Sequence, residues 1–413
     1  IKITKENKMQ HIINSAQTCL DCKKPRCQTG CPVGTPIAEM IRLFLSGDIK
    51  EAGEKVFQNN PLSIICSLVC PHEKHCEGHC ILNKKSIPVN VGGIENYIST
   101  YYMNYREFEK PTPNGRNLAI IGSGPAGISL AMMMAMKGYH VTMYEGNEQI
   151  GGVLRYGIPD FRLDKTILDK IEVNLKKLGV NIRKNIMIGK HITLDDMQRD
   201  GFDAIFIGTG VWAPKKLGIK GESLGNVHFA IDYLKTPKAY ELGKRVVVIG
   251  AGNVAMDVAR TVIRNGANDV SIMYRKGEED MPAEKIEIDH AKIDGVKFKL
   301  HSLPLELTEK GIRYITTNQE INEECFEEAD SILVAISQTA RDLIVKNNTG
   351  LSLGENELLQ SDENGITARK GVFASGDVVT GARTVVEAVA FSKRVAISIE
   401  EFISTLPAKT VAV

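Results

Sequence analysis

Asn117-Leu-Ala-Ile-Ile-Gly-Ser-Gly-Pro-Ala-Gly127 decides the fold. A short apolar run passes directly into a glycine turn, Pro125 to Lys137 reads as a helix, and His140-Val-Thr-Met-Tyr144 reads as a second strand. That order predicts a βαβ unit. Gly122-Ser123-Gly124-Pro125-Ala126-Gly127 lies where backbone amides and a helix dipole can hold a pyrophosphate. Gly124 permits close approach of the phosphate and Gly127 lets helix and strand pack tightly. Eighteen residues on, Glu145 ends the second strand, where a carboxylate can accept ribose hydroxyls. The glycine pattern alone is weak; between strand and helix, with this Glu, it is strong.

The same grammar returns at Arg245-Val-Val-Val-Ile249, then Gly250-Ala-Gly252-Asn253-Val254-Ala255, a helix-like stretch to Asn265, and Asp269-Val-Ser-Ile-Met-Tyr274. Two nucleotide-binding units imply two nucleotides, and the absence of a short-period repeat makes this a duplication of domains. Ala255 adds one methyl at the helix–strand contact. Where an NAD site would place an acid, this chain has Tyr274-Arg275-Lys276, two cations suited to a 2′-phosphate, so NADPH is expected over NADH. Glu278-Glu279-Asp280 just beyond is read as a solvated loop.

Eight of the nine cysteines fall between Cys19 and Cys80; only Cys325 lies elsewhere. The first residues have no apolar signal core, and the greasiest run, Ile128 to Met136, is too short to span a bilayer, so a cytoplasmic protein is expected. In a reducing compartment the cysteines point to metal ligation rather than disulfides. Cys19-x2-Cys22-x4-Cys27-x3-Cys31-Pro32, Cys66-x3-Cys70-Pro71 and Cys76-x3-Cys80 fit cubane iron–sulfur ligation better than tetrahedral zinc. His72, His75 and His79 keep a zinc or mixed site as the alternative, and are otherwise expected to be surface loop residues. The segment 1–112 has few strand-like runs and ends in Glu109-Lys-Pro-Thr-Pro-Asn-Gly115, which suggests a small helical domain plus linker. The 413 residues suggest two or three domains, and Lys+Arg 51 against Asp+Glu 50 leaves a net charge of +1. Such a balance favours neither nucleic acid nor an anionic membrane as partner.

Ile150-Gly-Gly152-Val153-Leu154-Arg-Tyr-Gly-Ile-Pro-Asp-Phe-Arg162, Ala204-Ile-Phe-Ile-Gly-Thr209-Gly210 and Gly371-Val-Phe-Ala-Ser-Gly376-Asp377 resemble motifs of the two-dinucleotide-binding-domain flavoproteins. The resemblance implies an α/β fold of two Rossmann-like domains: a split FAD domain, 113–235 and 344–413, with an NADPH domain, 236–343, inserted. Residues 1–112 would precede them as an α-helical iron–sulfur domain. It also implies that Asp377 meets the ribityl–phosphate region. A helix starting at Thr384-Val385 would aim its positive end at the isoalloxazine and stabilise an anionic reduced flavin.

The cysteine block, both glycine loops and Met281-Pro282 together resemble the small subunit of bacterial glutamate synthase. They are similar also to the N-terminal half of dihydropyrimidine dehydrogenase and to the large subunit of NADH-dependent ferredoxin:NADP oxidoreductase. This resemblance implies two 4Fe–4S clusters with interleaved ligands: Cys19, Cys22, Cys27 and Cys80 for one, Cys31, Cys70, Cys76 and Glu95 for the other. Cys66 is then left over, although a thiolate would be the simpler ligand than Glu95. The chain departs from the family at Ala335-Ile-Ser-Gln338, where glycine is usual in place of Ser337.

Hydride transfer from nicotinamide to flavin needs stacked rings and excluded water, so no catalytic side chain is expected. Clusters form a wire, and a wire implies a larger catalytic or electron-accepting protein subunit. The partner would be a glutamate-forming subunit, with a pyrimidine-reducing subunit or a ferredoxin-type or bifurcating complex as alternatives, and an assembly module inactive alone as a reading of another class. A disulfide reductase would need a Cys-x-x-Cys within a nucleotide domain, and there is none.

Overall fold

A computed structural model describes residues 5–317 and 323–407. The chain divides into two compact units: one of residues 1–152, 162–210 and 342–413, the other of residues 153–161 and 211–341.

The first unit is built on a five-stranded parallel sheet in the order Val372–Ala374, Ala204–Ile207, Asn117–Ile121, His140–Tyr144, Asn181–Arg183. The strand order reverses on either side of Asn117–Ile121, which places the first glycine turn at the switch point where open α/β sheets bind ligands. The helix Pro125–Met136 is apolar around most of its circumference because it is covered on more than one side. The 20-residue helix Val385–Ser404 packs along it, and Ser392 Oγ donates to the Ala126 carbonyl at 3.2 Å.

Ahead of this sheet the helices Lys5–Gln17, Ile37–Ser46, Ile49–Asn59, Ser63–Val69 and Val91–Tyr105 enclose a core of Ile12, Ile37, Met40, Ile41, Val56, Ile94 and Ile98. Cys76 belongs to that core, and Cys19, Cys27 and Cys80 pack at its margin. The stretch read as a linker is held against the first unit. Phe108 is buried edge-on to Phe57, with the Arg106 guanidinium 4.7 Å from its ring, and Asn114 N donates to the Gly138 carbonyl at 2.9 Å. Its prolines remove amide donors without removing apolar anchors, so a polar, proline-rich composition does not make it free.

The second unit repeats the parallel arrangement as Val227–Phe229, Ser331–Val334, Arg245–Ile249, Asp269–Met273, Lys297–Lys299. An antiparallel sheet of Ser302–Thr308, Gly311–Thr316 and Glu324–Glu328 is added to it. A short antiparallel ribbon pairs Ala213 with Thr339 and Pro214 with Gln338, tying together the two ends of the unit's longer segment. Among the described residues no helix is long and apolar enough to cross a membrane.

Candidate functional site

In the first glycine turn, a Cβ on Gly127 would sit 2.0 Å from the Gly122 carbonyl oxygen, and one on Gly122 would sit 2.5 Å from the Gly208 carbonyl oxygen. Backbone fills both places, so only glycine fits them. A Cβ on Gly124 would meet nothing within 4 Å, which leaves the mouth of the turn open for a phosphate. Gly152 closes one side, where a Cβ would come 2.8 Å from the Gly124 α-carbon, while Gly151 N donates to the Ser123 carbonyl at 2.9 Å. Val153 opens the short helix Val153–Tyr156, with Leu154 buried in the second unit; Arg162, Thr209 and Gly210 are half-buried in the first.

Glu145 is buried and engaged at both oxygens. Oε2 accepts from Ser123 N at 3.2 Å and Ser123 Oγ at 2.5 Å; Oε1 accepts from Asn147 N and Nδ2, each at 2.7 Å. The carboxylate thus locks the turn, and a ribose hydroxyl would share or replace one of these donors. Asn147 is a contact that motif reading misses; its signal is an amide two residues beyond the strand-ending acid.

Gly376 adopts a positive φ of 76°, and a Cβ there would come 2.9 Å from that of Ala126, so this turn abuts the start of the helix Pro125–Met136. Asp377 follows it. Burial pushes its carboxyl up to about 7, with the Arg383 amide donating at 3.2 Å. Thr384 caps the helix Val385–Ser404 in a capping box, donating to Glu387 Oε2 at 2.6 Å and accepting from Glu387 N at 3.4 Å. The open turn, the half-buried Asp377 and the capped helix fit a flavin dinucleotide.

In the second turn a Cβ on Gly250 would sit 2.3 Å from the Ala335 carbonyl oxygen, Gly252 is open, and Ala255 is fully buried. Val254 is half-buried beside it. Asn253 Oδ1 accepts from Glu284 N at 2.9 Å, which anchors the loop carrying Met281 and Pro282. Arg275 is exposed and has no ion pair among the described residues, whereas Lys276 pairs with Asp280 at 3.5 Å. Glu278 is held by Lys292 at 2.6 Å. The acidic stretch is therefore partly neutralised by its own neighbours, and Arg275 is left exposed beside it. Ser337 holds the glycine conformation of the family, with φ at 147°.

The cysteines fall into two electrostatically coupled sets. Cys19, Cys22, Cys27 and Cys80 line one cavity of ≈ 100 Å³, whose wall is otherwise mainly aliphatic. The Cys19 thiol is pushed up by burial and by its neighbours Cys22 and Cys80; burial takes Cys27 to about 11. In the second set Cys70 is raised by a side-chain hydrogen bond with Cys66, by burial, and by Glu95 and Cys31. Cys76 is raised by burial and by charges that include Glu95 and Cys31. Glu95, in the first turns of the helix Val91–Tyr105, is buried with Oε1 unpartnered, and burial pushes its carboxyl up to about 8. A buried Oε1 without a partner, next to Cys70 and Cys76, fits a carboxylate that could ligate a metal.

Cys66 is buried, as expected, and is hydrogen-bonded to Cys70, a contact that sequence reading missed although the i, i+4 spacing was the available signal. Among the described residues no three His, Cys, Asp or Glu side chains converge on a single-ion site. The wider cradle fits a cluster, whose ligands bind different irons. One expectation is corrected. His72 is not a surface residue: its Nε2 is buried and unpartnered, its ring lies against Gly92, and burial lowers its pKa to about 4. His75 is half-buried too, because the turn after Pro71 must face inward to present Cys76; His79 alone is exposed.

The pyridine nucleotide-disulphide oxidoreductase family matches residues 116–391, and the family described as dihydropyrimidine dehydrogenase domain II, 4Fe-4S cluster, matches residues 2–107. The Escherichia coli glutamate synthase (NADPH) small chain is 31% identical, covering 92% of this chain and 89% of its own. The Escherichia coli K12 NAD-dependent dihydropyrimidine dehydrogenase subunit PreT is 30% identical, covering 95% and 94%. Among solved structures, T. acidophilum thioredoxin reductase superposes with a TM-score of 0.57 at 21% identity, over 69% of this chain and 98% of that one, which bears on the fold alone. The chain is therefore a member of the glutamate synthase small-chain family, an NAD(P)H-dependent flavoprotein oxidoreductase with an N-terminal 4Fe–4S domain.

Proposed function

We propose that the chain is the cytoplasmic subunit that takes electrons from NADPH and delivers them to a larger, glutamate-forming partner subunit. What supports this reading is that, in one helical block, Cys19, Cys22, Cys27 and Cys80 line one cavity while Glu95, buried with an unpartnered Oε1, neighbours Cys70 and Cys76. When bound, FAD accepts a hydride and releases electrons singly, and the clusters carry single electrons.

The chain's own residues perform the rest. The Gly122–Gly127 turn, braced by Glu145, holds the flavin's pyrophosphate. Asp377 and the N-terminus beginning at Thr384 and Val385 orient its ribityl chain and ring. Gly250, Gly252 and Ala255 hold the NADPH pyrophosphate, and Arg275 its 2′-phosphate. The second donor set lies beside the helix Val385–Ser404: Lys393 on that helix donates to Asn59 Oδ1 at 2.7 Å and its ammonium feels Cys31. The first set opens outward through its cavity. Glu95 completes the second set, with Cys66 hydrogen-bonded to a ligand rather than acting as one.

Iron analysis tests the ligand assignment. About eight irons per chain are expected for two clusters; Glu95→Ala should lose about half, and Cys66→Ala should keep nearly all, with the reverse pattern overturning the choice. NADPH oxidation with ferricyanide by the isolated chain separates an enzyme from an assembly module, since a module would bind flavin and turn nothing over. The similarity to PreT favours a pyrimidine-reducing partner as the second reading.

A further inference from the structure

The segments that carry the first donor set, 19–31 and 80–90, hold an unneutralised charge that the near-neutral whole conceals. Lys23, Lys24, Arg26, Lys84 and Lys85 are all exposed and none has an ion pair among the described residues. The single carboxylate within these segments is Asp21, which is held by Arg42 at 3.5 Å. Five uncompensated cations therefore stand together on a chain of net charge +1. Beside these cations the surface is apolar: Leu20 and Ile81, 60% and 47% exposed, line the same cavity as Cys19, Cys22, Cys27 and Cys80, with Lys24 and Arg26 also on its wall. An apolar centre within a charged rim is interface anatomy, and redox encounters use small contacts steered by complementary charge.

We propose that this surface docks an acidic electron-accepting protein, its carboxylates meeting the five cations while its redox centre faces Leu20 and Ile81. The proposal rests on the reading that Cys19, Cys22, Cys27 and Cys80 hold a cluster. Folding gives these cations no partner, and a nucleotide or small anion would not need the apolar centre.

The test titrates the holoenzyme with a plant-type 2Fe–2S ferredoxin of strongly acidic surface, and separately with cationic cytochrome c. Ferredoxin should bind at low ionic strength and at least tenfold more weakly in 0.5 M salt, where the Debye length falls to a few ångströms. Lys23→Glu/Lys84→Glu/Lys85→Glu should weaken binding at least tenfold while keeping iron, flavin and NADPH–ferricyanide activity. Lys84→Gln/Lys85→Gln, which removes charge without reversing it, should give a smaller loss in the same direction. No ferredoxin binding to the wild type, wild-type binding by both variants, or equally tight binding of cytochrome c overturns the proposal. Wild type that binds ferredoxin but purifies without iron would support the docking surface and overturn the cluster reading alone.

Discussion

The two glycine turns follow one design and part at its third glycine position. In each, the first glycine is closed by a neighbouring carbonyl oxygen, that of Gly208 in one and Ala335 in the other. The third position separates them: Gly127 has its own turn's carbonyl 2.0 Å from where a methyl would go, whereas Ala255 carries that methyl fully buried. The flavin-side turn is wound against its helix, and the nicotinamide-side turn stands off by the width of a methyl. A shared motif therefore does not imply shared tolerance to substitution.

Exchanging that methyl should break the comparison most strongly. Gly127→Ala must push backbone and is expected to cost roughly 1–3 kcal/mol or more and to yield protein purified without flavin, read from the visible spectrum. The mirror change Ala255→Gly should leave flavin in place and cost about 1 kcal/mol. Arg275→Ala should raise the KM for NADPH roughly 10–100-fold, the range of a lost charge-assisted hydrogen bond, and leave NADH kinetics unchanged; an equal effect on both cofactors would remove Arg275 from the site.

Asp377 sharpens the flavin side through pH. Its folded pKa is raised, so the fold favours the protonated acid: the carboxyl costs nothing below the unfolded value near 4, destabilises increasingly as pH rises from there, and levels off above about 7. Apoprotein carrying Asp377→Asn should match wild type in Tm at pH 4 and exceed it at pH 8, and the same variant as purified should retain less FAD than wild type. The smallest effect belongs to Ser337. Its φ of 147° is one that side chains rarely adopt, so Ser337→Gly should stabilise by about 1 kcal/mol in denaturant unfolding.

What sequence made legible was what local spacing dictates. Strand, glycine turn and helix are contiguous, so both parallel sheets and both turns follow from Asn117–Gly127 and Arg245–Ala255. Features set by tertiary contact were not legible from spacing. Which cysteine faces which depends on how five helices stack, so the grouping of Cys80 with Cys19 came only through family resemblance. His72 looked polar and therefore exposed, but it turns inward with the loop that presents Cys76. The apparent linker is anchored at both ends, by the buried Phe108 just before it and by the Asn114 amide bonded to Gly138. Net charge is a sum, and a sum hides the five cations gathered at 19–31 and 80–90.

The sheet of the first unit is completed from far away in the chain: Val372–Ala374 pairs with Ala204–Ile207, Val372 opposite Ile205. At roughly 5–20 residues per second of synthesis, the ribosome takes about ten to thirty seconds to deliver the missing strand, and the helix Val385–Ser404 comes later still. Throughout that interval Ala-Ile-Phe-Ile, fully buried in the finished protein, is an apolar edge with unpaired amides. Production of this protein should thus depend on translation speed, temperature and chaperone supply more than its final stability would suggest.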